Sequence, residues 1–350
     1  MEITIVGAGA IGGVLGAYLT LNGENVLLCD IAENHVQKIN QEGIKIEGPV
    51  EVLTVDCKAM TPKELVGRGK PLEMVLLAVK AHHTKTAIEQ LRPLLKKETV
   101  VVSVQNGLCE KQISRLIGAE NTIGCFVNFS ADYLEPGRIL YGGISSLYIG
   151  ELDGSVTDRL KNLHKRLLAW GPAQITNNIW GYLWGKMSYA GLLYATALVD
   201  ETMAGVVRQL DLRETLMELC SEILAVAEAE GVHPLGFDDW EPGLVYPREA
   251  RDDGRLNKQL EKLAVRMASN KKTKSGIWRD LAVRKRKTEI EEQLVPIVEM
   301  GKEHGIAMPL TENLIQQILE IETGARQMDW GNLYELKAIF ERIKENEVLS

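Results

Sequence analysis

The chain reads as a doubly wound α/β domain followed by an all-helical domain, and three observations carry that reading. Continuous apolar, β-branched runs alternate with segments of crossover-helix length through the first half; a glycine-rich turn joins the first run to the first helix; and after about residue 170 the apolar spacing becomes that of helices. At 350 residues the chain is roughly twice a usual domain, which supports a division into residues 1–172 and 173–350.

The first run is Ile3-Thr4-Ile5-Val6, followed by glycines and then by Val14, Leu15, Tyr18 and Leu19 at helical spacing, which makes strand, turn and helix. Val26–Leu28 is the second strand, ending at Asp30. Residues 73–79 (EMVLLAV), 99–104 (TVVVSV) and 122–126 continue the series, and their unbroken apolar character suits a parallel sheet covered on both faces. Residues 84–95 and 109–117 lie among them as crossover helices. In the second half Leu216, Leu219, Ile223 and Ala227 mark one helical face, Ile290, Leu294 and Val298 another, and Leu314, Ile318 and Ile321 a third. Residues 233–254 hold several prolines and glycines and read as a loop within the helical domain.

Composition narrows the function classes. A net charge of −8 gives no overall attraction to nucleic acid, and no apolar stretch reaches the length of a membrane span. Neither a nucleic-acid partner nor a membrane is expected, and the opening MEITIVGAGAIGG lacks the character of a signal peptide, so a soluble cytoplasmic protein is expected. The five cysteines are widely spaced without a CxxC, which argues for buried thiols and against a disulfide framework or a zinc site. The pair His82-His83 has no companion cluster at metal spacing, so no metal is expected.

The 32 glycines indicate a need for bare backbone, and Gly7-Ala8-Gly9-Ala10-Ile11-Gly12 supplies the first instance. This GxGxxG follows a strand and opens a helix, the context of a Rossmann-type dinucleotide site. Gly7 would allow the tight turn, Gly9 would admit a pyrophosphate to the backbone, Ala10 and Ile11 would open the helix whose N–H groups face the phosphates, and Gly12 would let helix and strand pack closely. Asp30, at the end of the second strand, would accept hydrogen bonds from the adenosine ribose and repel a 2′-phosphate. Ile31 follows it where an arginine could have bound that phosphate, so the cofactor expected is NAD(P)H with NADH favoured.

Val79-Lys80-Ala81, Gln105-Asn106-Gly107 and Leu183-Trp184-Gly185-Lys186-Met187, together with the glycine turn and Lys287-Thr288-Glu289-Ile290 before His304-Gly305-Ile306, resemble the ketopantoate reductase (2-dehydropantoate 2-reductase) family across both halves. The resemblance implies a helical second domain of the 6-phosphogluconate-dehydrogenase-like kind and NAD(P)H-dependent reduction of a 2-oxo acid, in that family a step of pantothenate biosynthesis. It implies that Lys186 meets the keto group, where an ammonium of ordinary pKa about 10.4 can donate the proton that ketone reduction requires. Asn106 would contact the nicotinamide ribose and the substrate, Lys80 a cofactor hydroxyl or a substrate carboxylate, Glu289 the substrate hydroxyl or the lysine, and Ser275 the substrate carboxylate. The spacing from Ser275 to Glu289 is slightly longer than the family pattern.

Two family asparagines, four and eight residues after the lysine, are replaced here by Ala190 and Tyr194. Buried hydrogen-bond partners dominate discrimination among small substrates, so this departure points to a differently substituted 2-oxo acid, with Tyr194 lining its pocket. The stretch from Lys271 to Lys287 carries eight basic residues and one acid, either a solvated helix face or a funnel for an anion in which Arg279 and Lys274 pair a carboxylate. Alternatives are another two-domain dehydrogenase, acting on a hydroxyacyl, opine or polyol phosphate substrate, and a dinucleotide sensor without catalysis. The loop at 233–254 could supply the interface of an expected homodimer.

Overall fold

The structure, a computed structural model, describes residues 1–269 and 272–349. Two compact units divide it, Met1–Ile179 and Trp180–Ser350.

In the first unit β1 (Ile3–Val6) turns into α1 (Ala10–Leu21), and β2 (Val26–Cys29) into α2 (Glu33–Glu42). Three short strands follow, β3 (Ile44–Glu47), β4 (Val52–Val55) and β5 (Lys58–Met60), then α3 (Pro62–Gly67), β6 (Met74–Leu77), α4 (Thr84–Leu91), β7 (Val100–Ser103) and α5 (Cys109–Ile117). The unit closes with β8 (Thr122–Val127), β9 (Ala131–Glu135), β10 (Arg138–Tyr141), β11 (Leu147–Glu151), α6 (Asp158–Leu167) and β12 (Gln174–Ile175). The main sheet has eight strands in the order β12-β11-β8-β7-β6-β1-β2-β5, parallel throughout except where β11 meets β8. Every residue of β1, β2 and β6 is buried, which is why these strands show no alternation of apolar and polar positions.

The sequence reading did not anticipate a second sheet of four strands, β4-β3-β10-β9. Its strands are four or five residues long and two-faced, as in β3, where Ile44 and Ile46 are buried while Lys45 and Glu47 are not. Such short runs resemble loops in sequence. The unit also extends beyond residue 172, because Gln174 and Ile175 pair in parallel with Tyr148 and Ile149 of β11.

Helices build the second unit: α7 (Ile179–Thr196), α8 (Met203–Val207), α9 (Arg213–Ala229), α10 (Asp253–Ser269), α11 (Gly276–Ala282), α12 (Ile290–Glu303), α13 (Pro309–Thr323) and α14 (Trp330–Leu349). Residues 233–252 form the expected loop, which contains two single turns of 3-10 helix and an isolated bridge between Phe237 and Trp240. None of the described helices is long and apolar enough to cross a membrane.

One buried group ties this unit together. Helix α13 begins without a side-chain cap of its own, and Glu222 of α9 takes its first N–H groups instead, accepting from Leu310 N at 3.0 Å and from Thr311 N and Oγ1 at 2.8 and 2.7 Å. Burial pushes the Glu222 carboxyl up from 4.5 to about 7, against the bonds from Leu310 and Thr311 that pull it down. Between those two values the folded chain holds more of this proton than the unfolded chain, so stability falls as pH rises from about 4.5 to about 7 and then levels. Urea titrations from pH 4.5 to 8 are expected to show this decline in the wild type, on the order of 3 kcal/mol, and to show it removed in Glu222→Gln.

Candidate functional site

In the first unit the carboxyl ends of adjacent parallel strands carry the residues that the sequence singled out. The ladder continues past the strands: Gly7 N donates to Cys29 O, Ala78 N to Val6 O and Val104 N to Leu77 O, each at 2.8 Å. The glycine turn after β1, Asp30 after β2, Lys80 after β6 and Asn106 after β7 therefore share one edge of the sheet.

Gly7 has φ +95°, a conformation that favours glycine, and Gly12 is held by space, since a Cβ there would sit 2.1 Å from the Gly7 carbonyl oxygen. Gly9 is different: a Cβ would meet nothing within 4 Å. It is the N-cap of α1 and supplies no side-chain cap to the helix N–H groups. An open cradle at an uncapped helix N-terminus fits a phosphate.

A residue that sequence reasoning missed fastens this turn. The fully buried ring of His35, on α2, lies with Nε2 at 2.9 Å from Ala8 O, while Gly137 N donates to Nδ1 at 2.9 Å. Because Gly137 requires an acceptor at Nδ1, the proton resides on Nε2 and is donated to Ala8. The ring thus joins the glycine turn to the β9–β10 hairpin. Nothing in the local sequence announced this, since Gly137 is 102 positions away.

Asp30 is half-buried, and one of its carboxylate oxygens accepts from Ala32 N at 3.0 Å. Burial, with the carboxylates of Asp30 and Glu135, pushes the Tyr133 phenol up, which puts this tyrosine of the second sheet within electrostatic reach of Asp30. Ile31 is 70% exposed. At the other end of the edge, buried Gln105 donates through Nε2 to Val79 O and Thr84 Oγ1, both at 2.8 Å, and so joins the turn bearing Lys80 to the turn bearing Asn106. Asn106 itself is exposed and precedes Gly107 at φ +94°.

In the second unit α7 carries Lys186, Ala190 and Tyr194 at successive four-residue steps, the first two half-buried and Tyr194 buried. Gly185 lets a loop press against this helix, because a Cβ there would lie 2.3 Å from Leu235 O. Trp240 Nε1 adds a bond of 3.0 Å to Ser188 Oγ. Glu289 is the N-cap of α12, and the turn behind it is clamped by α13, where Glu322 Oε1 accepts from Thr288 N at 2.7 Å and from Thr288 Oγ1 at 2.6 Å.

Ser275 is the N-cap of α11, its Oγ accepting from Trp278 N at 3.1 Å. Lys274, expected to pair a carboxylate, is neutralised by Asp200 and covers the Trp278 ring, with Nζ 3.9 Å from the ring centre. Arg279 is half-buried, and burial together with Arg284 pushes its guanidinium down, which is an environment that favours an anion nearby. Arg284 and Arg286 both bond Asp280, at 3.0 and 2.9 Å. The first residue of the basic stretch, Lys271, lies outside the described residues. Among the described residues no group of three His, Cys, Asp or Glu side chains is arranged to hold a metal ion.

Comparison with known proteins covers both units. The family model described as ketopantoate reductase PanE/ApbA matches residues 3–154, and its C-terminal counterpart matches residues 178–322. A 2-dehydropantoate 2-reductase of Mesorhizobium japonicum is 29% identical over 265 residues, covering 68% of this chain and 79% of that one. One from Lactococcus lactis is 24% identical over 91% of this chain and 97% of its own. Among solved structures, a PanE/ApbA family ketopantoate reductase of Ralstonia eutropha superposes with TM-score 0.75 at 25% identity, over 93% of this chain and 99% of that one. D-mandelate dehydrogenase with NADH and anilino(oxo)acetate shares the fold, with TM-score 0.76 at 22% identity over the same shares.

Gly9 and Gly12 differ in what an added side chain would meet. Gly12→Ala gains up to about 1 kcal/mol of helix propensity, but the clash with Gly7 O outweighs it, and a net loss of about 1–3 kcal/mol is expected. Gly9→Ala meets no clash and is expected to cost only about 1 kcal/mol or less, the difference between glycine and alanine at an N-cap. Chemical denaturation of both variants checks the contrast.

Proposed function

Because the chain belongs to the ketopantoate reductase family, we propose that it is an oxidoreductase that reduces a 2-oxo acid to the 2-hydroxy acid with a nicotinamide dinucleotide. The observation that carries this reading is the shared strand edge, on which Asp30 after β2, the open cradle after β1, Lys80 after β6 and Asn106 after β7 follow one another in the order in which a dinucleotide presents its adenosine ribose, pyrophosphate and nicotinamide end. The backbone around Gly7, Gly9, Ala10, Ile11 and Gly12 would hold the pyrophosphate, Asp30 the adenosine ribose, and Lys80 and Asn106 the nicotinamide end. When bound, the dinucleotide supplies the hydride for C2 of the acid.

The second unit supplies the proton and the substrate contacts. Lys186, as an ammonium, stabilises the charge that develops on the keto oxygen and donates the proton to it. Glu289, held by the Thr288–Glu322 clamp, orients the lysine or accepts from a substrate hydroxyl. Arg279 pairs the substrate carboxylate, with Ser275 beside it; the serine's acceptor role as a helix cap leaves its own hydroxyl proton to donate. Ala190 and Tyr194, in place of asparagines, favour a 2-oxo acid other than ketopantoate. D-mandelate dehydrogenase, solved with NADH and anilino(oxo)acetate, is a protein of this fold consistent with that breadth.

Lys186→Ala is expected to lower kcat at least a hundredfold in NADH oxidation with a panel of 2-oxo acids, while NADH affinity stays within about twofold. Turnover equal to wild type would sink the mechanism. For the cofactor, titration by fluorescence is expected to give a lower Kd for NADH than for NADPH, and Asp30→Ala is expected to narrow the difference. Tighter NADPH binding in the wild type would refute the role assigned to Asp30 and Ile31.

A further inference from the structure

The replacement of two amides on α7 by Ala190 and Tyr194 leaves open where the second unit obtains a neutral hydrogen-bond donor for its substrate. Gln293 lies one turn beyond Glu289 on α12, on the same face of the helix, and is 7% exposed. Its Oε1 accepts from the hydroxyl of Tyr194, itself 1% exposed, at 3.3 Å. The carboxylates of Glu289, Glu292, Glu322 and Asp280 all act on that phenol, and burial leads them in pushing its pKa well above 10. A phenol kept protonated in such surroundings donates, and its donation to Oε1 turns the NH2 of Gln293 away from Tyr194. Among the described residues no other group takes that NH2.

We propose that Gln293 is a substrate-binding residue whose amide, oriented by Tyr194, donates to a neutral oxygen on the acyl chain of the 2-oxo acid. This rests on the reading of the chain as a 2-oxo acid reductase. The choice of a neutral oxygen follows from charge: the carboxylates of Glu289, Glu292 and Glu322, which act on Tyr194, repel the acid's own carboxylate, which finds its cation instead at Arg279. A hydroxyl suits the position because it accepts from the Gln293 amide and can donate to Glu289, one turn earlier. Tyr194 acts as a positioning residue, since its own proton is committed to Gln293.

The test compares kcat/KM, by NADH oxidation, for a 2-oxo acid with a hydroxyl on its acyl chain and for the counterpart lacking it. The wild type is expected to prefer the hydroxylated acid, and Gln293→Leu to reduce that preference roughly tenfold. Tyr194→Phe should move the ratio in the same direction, and the double variant should match Gln293→Leu alone, because the tyrosine works through the amide. NADH affinity and melting temperature report folding, and Gln293→Met, closer in length, replaces the leucine variant if that one fails to fold. An unchanged ratio in a folded Gln293 variant, or additive effects of the two substitutions, overturns the proposal. Absence of turnover by the wild type with every acid overturns the reductase reading itself and is distinguishable from both.

Discussion

The parallel hydrogen-bond ladder through β2, β1, β6 and β7 is the constraint on which the first unit depends. Its strands run in the same direction and in matched register, Val6 beside Cys29 and Leu77, and Leu77 beside Ser103. Four chain segments far apart in sequence therefore leave the sheet along one edge, and each leaves through a different kind of turn. A tight glycine turn, a strand-end carboxylate, a lysine and an Asn-Gly pair are separately unremarkable features of loops. Their alignment puts them on one edge, where the proposed dinucleotide would lie.

That edge is braced from outside the sheet. His35 holds the glycine turn through the Ala8 carbonyl and reaches the β9–β10 hairpin through Gly137, while Gln105 joins the turns that carry Lys80 and Asn106. Both side chains are buried and neutral, so these bonds contribute without the desolvation cost of a charge. The four-stranded sheet thereby acquires a purpose: it brings Gly137 to His35 and Tyr133 toward Asp30.

The second unit relies on acceptors placed at helix starts. Glu222 serves α13, the Thr288–Glu322 clamp fixes the turn into α12, and Ser275 caps α11. Each satisfies N–H groups that a helix leaves unpaired at its beginning, and each settles the direction of a segment that bears a candidate site residue or its support. Tyr194 and Gln293 join α7 to α12, the helices that carry Lys186 and Glu289.

Much of this protein was determined by sequence alone, because the relevant physics is local. The strand-turn-helix beginning at Ile3, the buried runs at Val26, Met74, Val100 and Thr122, and the helical second half follow from apolar spacing and from the conformational freedom of glycine. The family followed from an ordered set of short motifs. Tertiary structure alone decided what depends on partners distant in the chain: the second sheet, whose strands of four or five residues carry too little pattern to be recognised singly; the roles of His35, Gln105, Glu222 and Glu322; and the pairing of Lys274 with Asp200, which occupies that lysine with a carboxylate of the chain itself. Hydrogen bonds and ion pairs are short-ranged in space and indifferent to sequence separation, so only the folded chain discloses which residue each polar group meets.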